Sequence, residues 1–166
     1  MGLMGLMAPS KAAAAHWLIK SEPYKYPYAQ LEKDGMAVWD GIRNYEARNN
    51  LRAMRVGDLA LYYHSNEGKE IVGVARVTRT AYQEPDCDEN WSVVEFEPVM
   101  ALPAPVTLAA IREHAMLGQM EMMRRNRLSV THVSPEEYAC ILALGGVNTR
   151  SPARAKKSSP SAARTK

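Results

Sequence analysis

No run of about 18 apolar residues occurs in this chain, so no segment reads as a membrane-spanning helix. The apolar opening, residues 1–15, lacks a cationic n-region and a sustained hydrophobic stretch, and it does not read as a secretory signal. Cysteine is scarce. Cys87 and Cys140 have no second Cys/His pair nearby, which excludes a disulfide framework and a zinc knuckle and points to a reducing compartment. Both thiols read as small buried or incidental loop residues. Enzyme signatures are missing as well: there is no G-x-S-x-G elbow, no H-E-x-x-H, no P-loop and no G-x-G-x-x-G. The four histidines, His16, His64, His114 and His132, lack ligand spacing, and no carboxylate pair is marked for acid–base work. Neither metal nor cofactor is expected, and the chain reads as a binding module rather than an enzyme.

What is present is a chain of 166 residues with 46% hydrophobic and 23% charged residues, enough to bury the core of one domain. The net charge of +3 is unevenly placed. All 18 acidic residues lie between Glu22 and Glu137, whereas seven of the 21 basic ones belong to the leader or to the tail. The body therefore holds 14 basic against 18 acidic residues, a net of −4. Whole-body electrostatics cannot drive strong duplex binding; a local patch or the tail would have to. Residues 1–15 read as a disordered leader, 16–147 as the domain and 148–166 as a disordered basic tail.

Inside the domain, short strands are expected at 17–20, 36–39, 59–64, 71–80, 92–100 and 128–133. A helix is expected over 43–55, with Ala47, Leu51 and Met54 on one face and Arg48, Arg52 and Arg55 on another, closed by Gly57. Pro103 and Pro105 should break the chain before a helix over 107–117. The last helix is marked best, by Ser134, Pro135 at its first position, Glu137 completing a capping box, and Val133 stapled to Tyr138. The absence of a βαβ rhythm suggests an α+β mixed barrel of five to six strands with peripheral helices.

Four segments could carry binding chemistry. Trp39 precedes a glycine turn, and Asn44 and Tyr45 follow at a helix entry, placing a π-face beside amide and guanidinium donors as a nucleobase requires. Its competing reading is a core tryptophan with Arg48, Arg52 and Arg55 on a solvated helix face. Lys20, Ser21 and Glu22 follow an apolar strand, where pocket donors often sit. At the hairpin mouth stand Tyr62, Tyr63, His64 and Ser65, with alternation sending Tyr63 to one face and Tyr62 and His64 to the other. Arg124, Arg125 and Arg127 approach the last strand and form the best phosphate-contacting patch.

In order and spacing these segments resemble the EVE domain, in its thymocyte-nuclear-protein-like branch, within the PUA-like superfamily. The residues that carry the resemblance are Trp17-Leu18-Ile19-Lys20-Ser21-Glu22-Pro23, the block from Trp39 to Leu51, Tyr63-His64-Ser65-Asn66, Ile71-Val72-Gly73-Val74-Ala75 and Arg127-Leu128-Ser129-Val130. The resemblance implies a compact barrel and a nucleobase pocket. Similar YTH domains read methylated adenine in RNA; EVE domains are viewed as readers of modified cytosine in DNA. Carried over, Ser21 and Glu22 face the base edge, Trp39 lies against its ring, Asn44 and Tyr45 shape one wall, and His64, Ser65 and Ser129 the opposite one. Lys20 and Tyr62 complete the expected pocket, with Arg48, Arg124, Arg125 and Arg127 on phosphates.

The expected partner is nucleic acid carrying a modified base, with DNA favoured over RNA. An effector protein would be supplied in trans, and no membrane is expected. The expected location is cytoplasmic, nucleoid-associated in a bacterium or nuclear in a eukaryote. Rival readings are a small hydrolase or nuclease using His64, Ser65 and Asp40 or Glu22, a scaffold with Trp39 packed shut, and an RNA-binding module.

Overall fold

A computed structural model describes residues 14–147, so the basic tail and most of the apolar leader lie outside the described residues. The elements in chain order are β1 (His16–Ser21), α1 (Tyr28–Asp34), β2 (Ala37–Trp39), α2 (Tyr45–Ala53), β3 (Leu59–His64), β4 (Glu70–Gln83) and β5 (Ser92–Thr107). There follow α3 (Leu108–Glu113), a 3-10 turn at Leu117–Gln119, α4 (Glu121–Arg124), β6 (Val130–Val133) and α5 (Pro135–Leu144). All six strands join one sheet in the order β2-β5-β4-β3-β1-β6. Register shifts between β3 and β4, and repeatedly between β4 and β5, bend the long strands and curl the sheet. With helices on its periphery, this is the expected α+β architecture of six strands. Among the described residues no helix is long and apolar enough to cross a membrane.

Strand alternation divides the core in two. Trp17, Ile19, Ala60 and Tyr62 point to one face of the sheet, where Leu31 of α1, Ala47 and Leu51 of α2 and its capping residue Met54 cover them. Leu18, Leu61 and Tyr63 point to the other, under Ile111 of α3, Met122 of α4 and Ile141 and Leu142 of α5. Asp58 fastens the start of this arrangement. It is buried, yet its carboxylate accepts from Trp17 Nε1 at 3.0 Å, Arg55 N–H at 3.0 Å and Ala15 N–H at 3.1 Å. Three donors offset the desolvation of that one charge.

Caps fix the helix starts, for α5 as expected and for α2 two residues later than the expected Arg43. Asn44 Oδ1 accepts from Ala47 N–H at 2.9 Å, and the Ser134–Glu137 capping box is complete, with Pro135 opening α5. Other boundaries moved. Helix α2 ends at Ala53 instead of Arg55; Gly57, three residues beyond its Met54 cap, turns the chain into β3 and donates to Val77 O. Strand β5 passes through Pro103 and Pro105, which stand in the stretch between Ala101 and Val106 that opposes only Gly73 to Ile71 of β4. A bulge tolerates the missing N–H. The helix expected over 107–117 stops at Glu113, because His114 Nδ1 accepts Met116 N–H at 3.1 Å and turns the chain. One pairing was not signalled: β1 lies parallel to β3, joined to it through α1, β2 and α2.

Gly73 is the tightest point of this frame. A Cβ there would stand 2.5 Å from Cζ of Tyr28, whose buried hydroxyl donates to Val74 O at 2.6 Å, with Met100 O at 2.9 Å as an alternative acceptor. The Gly73→Ala variant should lose about 1–3 kcal/mol of stability by overpacking, read as a lower urea midpoint with an unchanged slope.

Candidate functional site

Because β1 and β3 run in the same direction, both end at one rim of the sheet. Ser21 is paired with His64, and Ser65 N–H donates to Ser21 O at 2.9 Å just beyond the ladder. On the other side of β1, Lys20 N–H donates to Ser129 O at 3.0 Å, bringing in the segment that precedes β6. Strand β2 delivers Trp39 to the same place. Between them opens a cleft of about 800 Å³, in the range of ordinary ligand cavities, roughly 300–1,000 Å³. Ser21, Glu22, Ser65, Asn66 and Ser129 supply polar groups; Met36, Ala37, Val38, Trp39 and Ile42 supply an apolar wall; Lys20, Lys25, Asn126 and Arg127 close the rim with Asp34 and Asp40.

Trp39 is held between core and cleft. It is 8% exposed, and the rings of Tyr62, Phe96 and Tyr26 stand 5.6, 5.7 and 6.3 Å away at near-perpendicular angles. Such edge-to-face neighbours fix the indole plane. The polar floor is equally set. Tyr26 O accepts from both Ser21 Oγ at 2.8 Å and Tyr62 Oη at 2.6 Å, and Tyr26 Oη donates to Asp34 Oδ2 at 2.8 Å. Hydrogen bonds from Tyr24 and Lys25 hold the Glu22 carboxyl below the usual carboxylate range, and Asn66 Nδ2 also donates to it. Burial pushes the Lys20 ammonium below its ordinary value, and Lys20 Nζ donates to Asn126 O at 3.1 Å. Burial also pushes the Tyr62 phenol up to about 12, so it remains a neutral donor. Among the described residues no cluster of three or more His, Cys, Asp or Glu is arranged to hold a metal ion.

The EVE domain model matches residues 15–144 of this sequence. The chain belongs to the EVE domain family. Thymocyte nuclear protein 1 of Gallus gallus is 31% identical over 170 residues, covering 81% of this chain and 70% of that protein. A Rhodopseudomonas palustris protein solved by NMR is 42% identical, with a TM-score of 0.77 over 80% of this chain and 94% of that one. Human THYN1, solved in complex with 5-methylcytosine containing DNA, is 29% identical, with a TM-score of 0.74 over 81% of this chain and 99% of that one.

Within this EVE domain, Lys20, Ser21, Glu22, Trp39, Ser65 and Ser129 converge on the one cleft. Tyr62 does not reach it. With no exposed surface it lies behind the cleft, its ring in the core and its hydroxyl holding the Tyr26 loop. Tyr63, on the opposite face, is buried too, so neither hairpin tyrosine lines the cavity. His64 spends Nε2 on Tyr28 N–H at 3.1 Å and anchors α1. Asn44 is occupied as the cap of α2, and Tyr45 faces outward. Asn44 lines a neighbouring notch of about 240 Å³ with Arg124, Arg125, Asn126, Arg127 and Leu128. Arg125 is engaged in a bidentate pair with Glu46, and Arg124 Nε donates to Gln119 O. Arg48 lies on the outer face of α2 and donates to Asn90 O. Tyr26, Met36 and Val38 were not assigned to the site in the sequence; Met36 and Val38 belong to the strand expected at 36–39, which was the available signal, and Tyr26 carries none. Ile42 and Asn126 lie within segments that were read, but were given no role.

His64 yields a pH prediction. Burial holds its imidazole below the ordinary 6.5, and Nε2 must stay unprotonated to accept Tyr28 N–H. As the pH falls, the unfolded chain takes up this proton first. The stability from His64 is thus fully present above about 6.5 and is lost as the pH drops through the lower folded value. Thermal midpoints between pH 7.5 and pH 5 should fall, and His64→Gln should make that fall shallower.

Proposed function

We propose that this EVE domain binds nucleic acid without catalysis and holds one base, flipped out of its strand, in the cleft beside Trp39. Modified cytosine in DNA is the favoured ligand. The observation that carries the reading is the cleft's composition. A rigid indole and an apolar wall stand opposite Ser21, Ser65 and Ser129, with Arg127 at the rim, which suits a flat ring with polar edges. The human relative solved with 5-methylcytosine containing DNA supports the choice of ligand. A non-catalytic role is supported by His64, which among the described residues makes no hydrogen bond to Ser65, Asp40 or Glu22. A scaffold whose Trp39 is packed shut fits poorly beside a cleft of about 800 Å³.

Met36, Val38 and Ile42 give a 5-methyl group an apolar neighbour. Burying one carbon is worth about 0.8 kcal/mol, or roughly fourfold in Kd, so selectivity for the methyl alone is modest. Few free cations line the cleft, which makes the salt dependence shallow.

Fluorescence titration of matched oligonucleotides with 5-methylcytosine or cytosine tests the reading. Trp39→Ala should weaken binding of the modified strand by about 1–3 kcal/mol, roughly 5- to 150-fold, and Trp39→Phe should restore part of it. Equal, salt-driven binding to both strands, untouched by Trp39→Ala in a folded variant, would refute it. A matched RNA strand as competitor separates the two nucleic acids through the 2′-hydroxyl.

A further inference from the structure

The residue that the cleft leaves out sits on an organised surface of its own. Tyr45 is the first residue of α2, set there by the Asn44 cap. It is 68% exposed even though its ring stacks on Trp91, with centroids 5.1 Å apart and planes 15° from parallel. Trp91 is buried, and its indole N–H donates to Glu89 Oε1 at 3.0 Å. The Arg48 guanidinium carbon lies 5.0 Å from the Tyr45 centroid and 5.7 Å from that of Trp91, and Arg48 is itself held by Asn49 Oδ1 and Asn90 O. Arg43 covers Trp91 at 5.3 Å and is paired with Glu84 at 2.8 Å. A solvent-facing phenol ring is therefore immobilised in advance by an aromatic and cationic frame.

The place of this frame matters as much as its chemistry. Asn44, the residue before Tyr45, lines the notch that contains Arg127 and Asn126, and those two also line the base cleft. Cleft and notch thus share Arg127 and Asn126, and the chain passes directly from Asn44 of the notch to Tyr45 at the start of α2. Arg127 at the junction has no carboxylate partner among the described residues, whereas Arg125 is held by Glu46.

We propose that Tyr45 is a second stacking platform, taking the nucleobase next to the one held in the cleft, with the phosphate between them at Arg127. This rests on the base-holding reading of the cleft and extends it from one nucleotide to two. A pre-ordered aromatic ring stacks a base of any identity, since every base offers a π-face and little side-chain entropy remains to be lost. The contact adds affinity for a strand without adding sequence preference.

The test uses the full chain and short single-stranded DNA with one 5-methylcytosine, its 5′ or 3′ neighbour being either a normal nucleotide or an abasic sugar. For the wild type, an abasic sugar on one side should weaken binding by roughly 5- to 10-fold. Tyr45→Ala should lose the same factor on the intact strand and nothing further on the abasic one. Tyr45→Phe should keep wild-type affinity, and free 5-methyldeoxycytidine should bind wild type and Tyr45→Ala equally. Tyr45→Ala losses of equal size on intact and abasic strands would overturn the proposal, as would no loss at all. The wild-type abasic comparison needs no variant, so an unstable Tyr45→Ala protein does not shield it. Failure of the cleft reading shows elsewhere, as loss of nucleoside binding or its indifference to Trp39→Ala.

Discussion

Ser65 N–H donates to Ser21 O one step beyond the parallel ladder of β1 and β3, and the cleft follows from that alignment. An antiparallel partner would have sent the β3 hairpin to the far end of the sheet. In parallel pairing, Lys20, Ser21 and Glu22 leave β1 beside His64, Ser65 and Asn66 leaving β3, and the two loops stay tied beyond the ladder by Ser65 N–H to Ser21 O and Asn66 Nδ2 to the Glu22 carboxyl. Ligand sites form outside the carboxyl ends of parallel strands for the same reason. The crossover that makes the pair parallel consists of α1, β2 and α2. Within that crossover, the end of α1, β2 and the turn after it supply Asp34, the apolar wall from Met36 to Trp39, Asp40 and Ile42, so one topological choice assembles much of the site.

The aromatic residues then divide the labour between packing and exposure. Tyr28 and Tyr62 are committed to the core, with phenols pushed up to about 12 by burial and hydroxyls tied to backbone carbonyls. Trp39 leans on Tyr62 and Phe96 while still lining the cavity, which makes it rigid without hiding it. Tyr45 stands furthest out, yet Trp91 and Arg48 restrain it. Ordering these rings during folding removes the entropy that binding would otherwise have to meet.

Electrostatics set the limits of such a site. Glu46 holds Arg125 and Glu84 holds Arg43 in ion pairs, so cations that looked available in the sequence are spoken for. Exposed pairs of this kind contribute little to stability but lower the local positive potential. With a body of net charge −4, the domain has little positive field of its own to offer a phosphate backbone.

The amino-acid sequence by itself determined what rests on local pattern. The strands near 17–20 and 59–64 were legible from apolar runs, the buried face of α2 from its spacing, and α5 from its capping box. Motif resemblance identified Lys20, Ser21, Glu22, Trp39, Ser65 and Ser129, residues that lie on four separate segments. Only the tertiary structure decided that those six share one cleft while Tyr62, His64, Asn44 and Tyr45 do not. Alternation assigns a side chain to a face, but not to the depth of what packs on that face. Thus Tyr62 is sealed by Trp39, Tyr28 and the Tyr26 loop, and His64 is taken by the Tyr28 amide. The parallel register of β1 and β3 was likewise beyond local reading, because strand pairing is settled by contacts between residues more than forty positions apart.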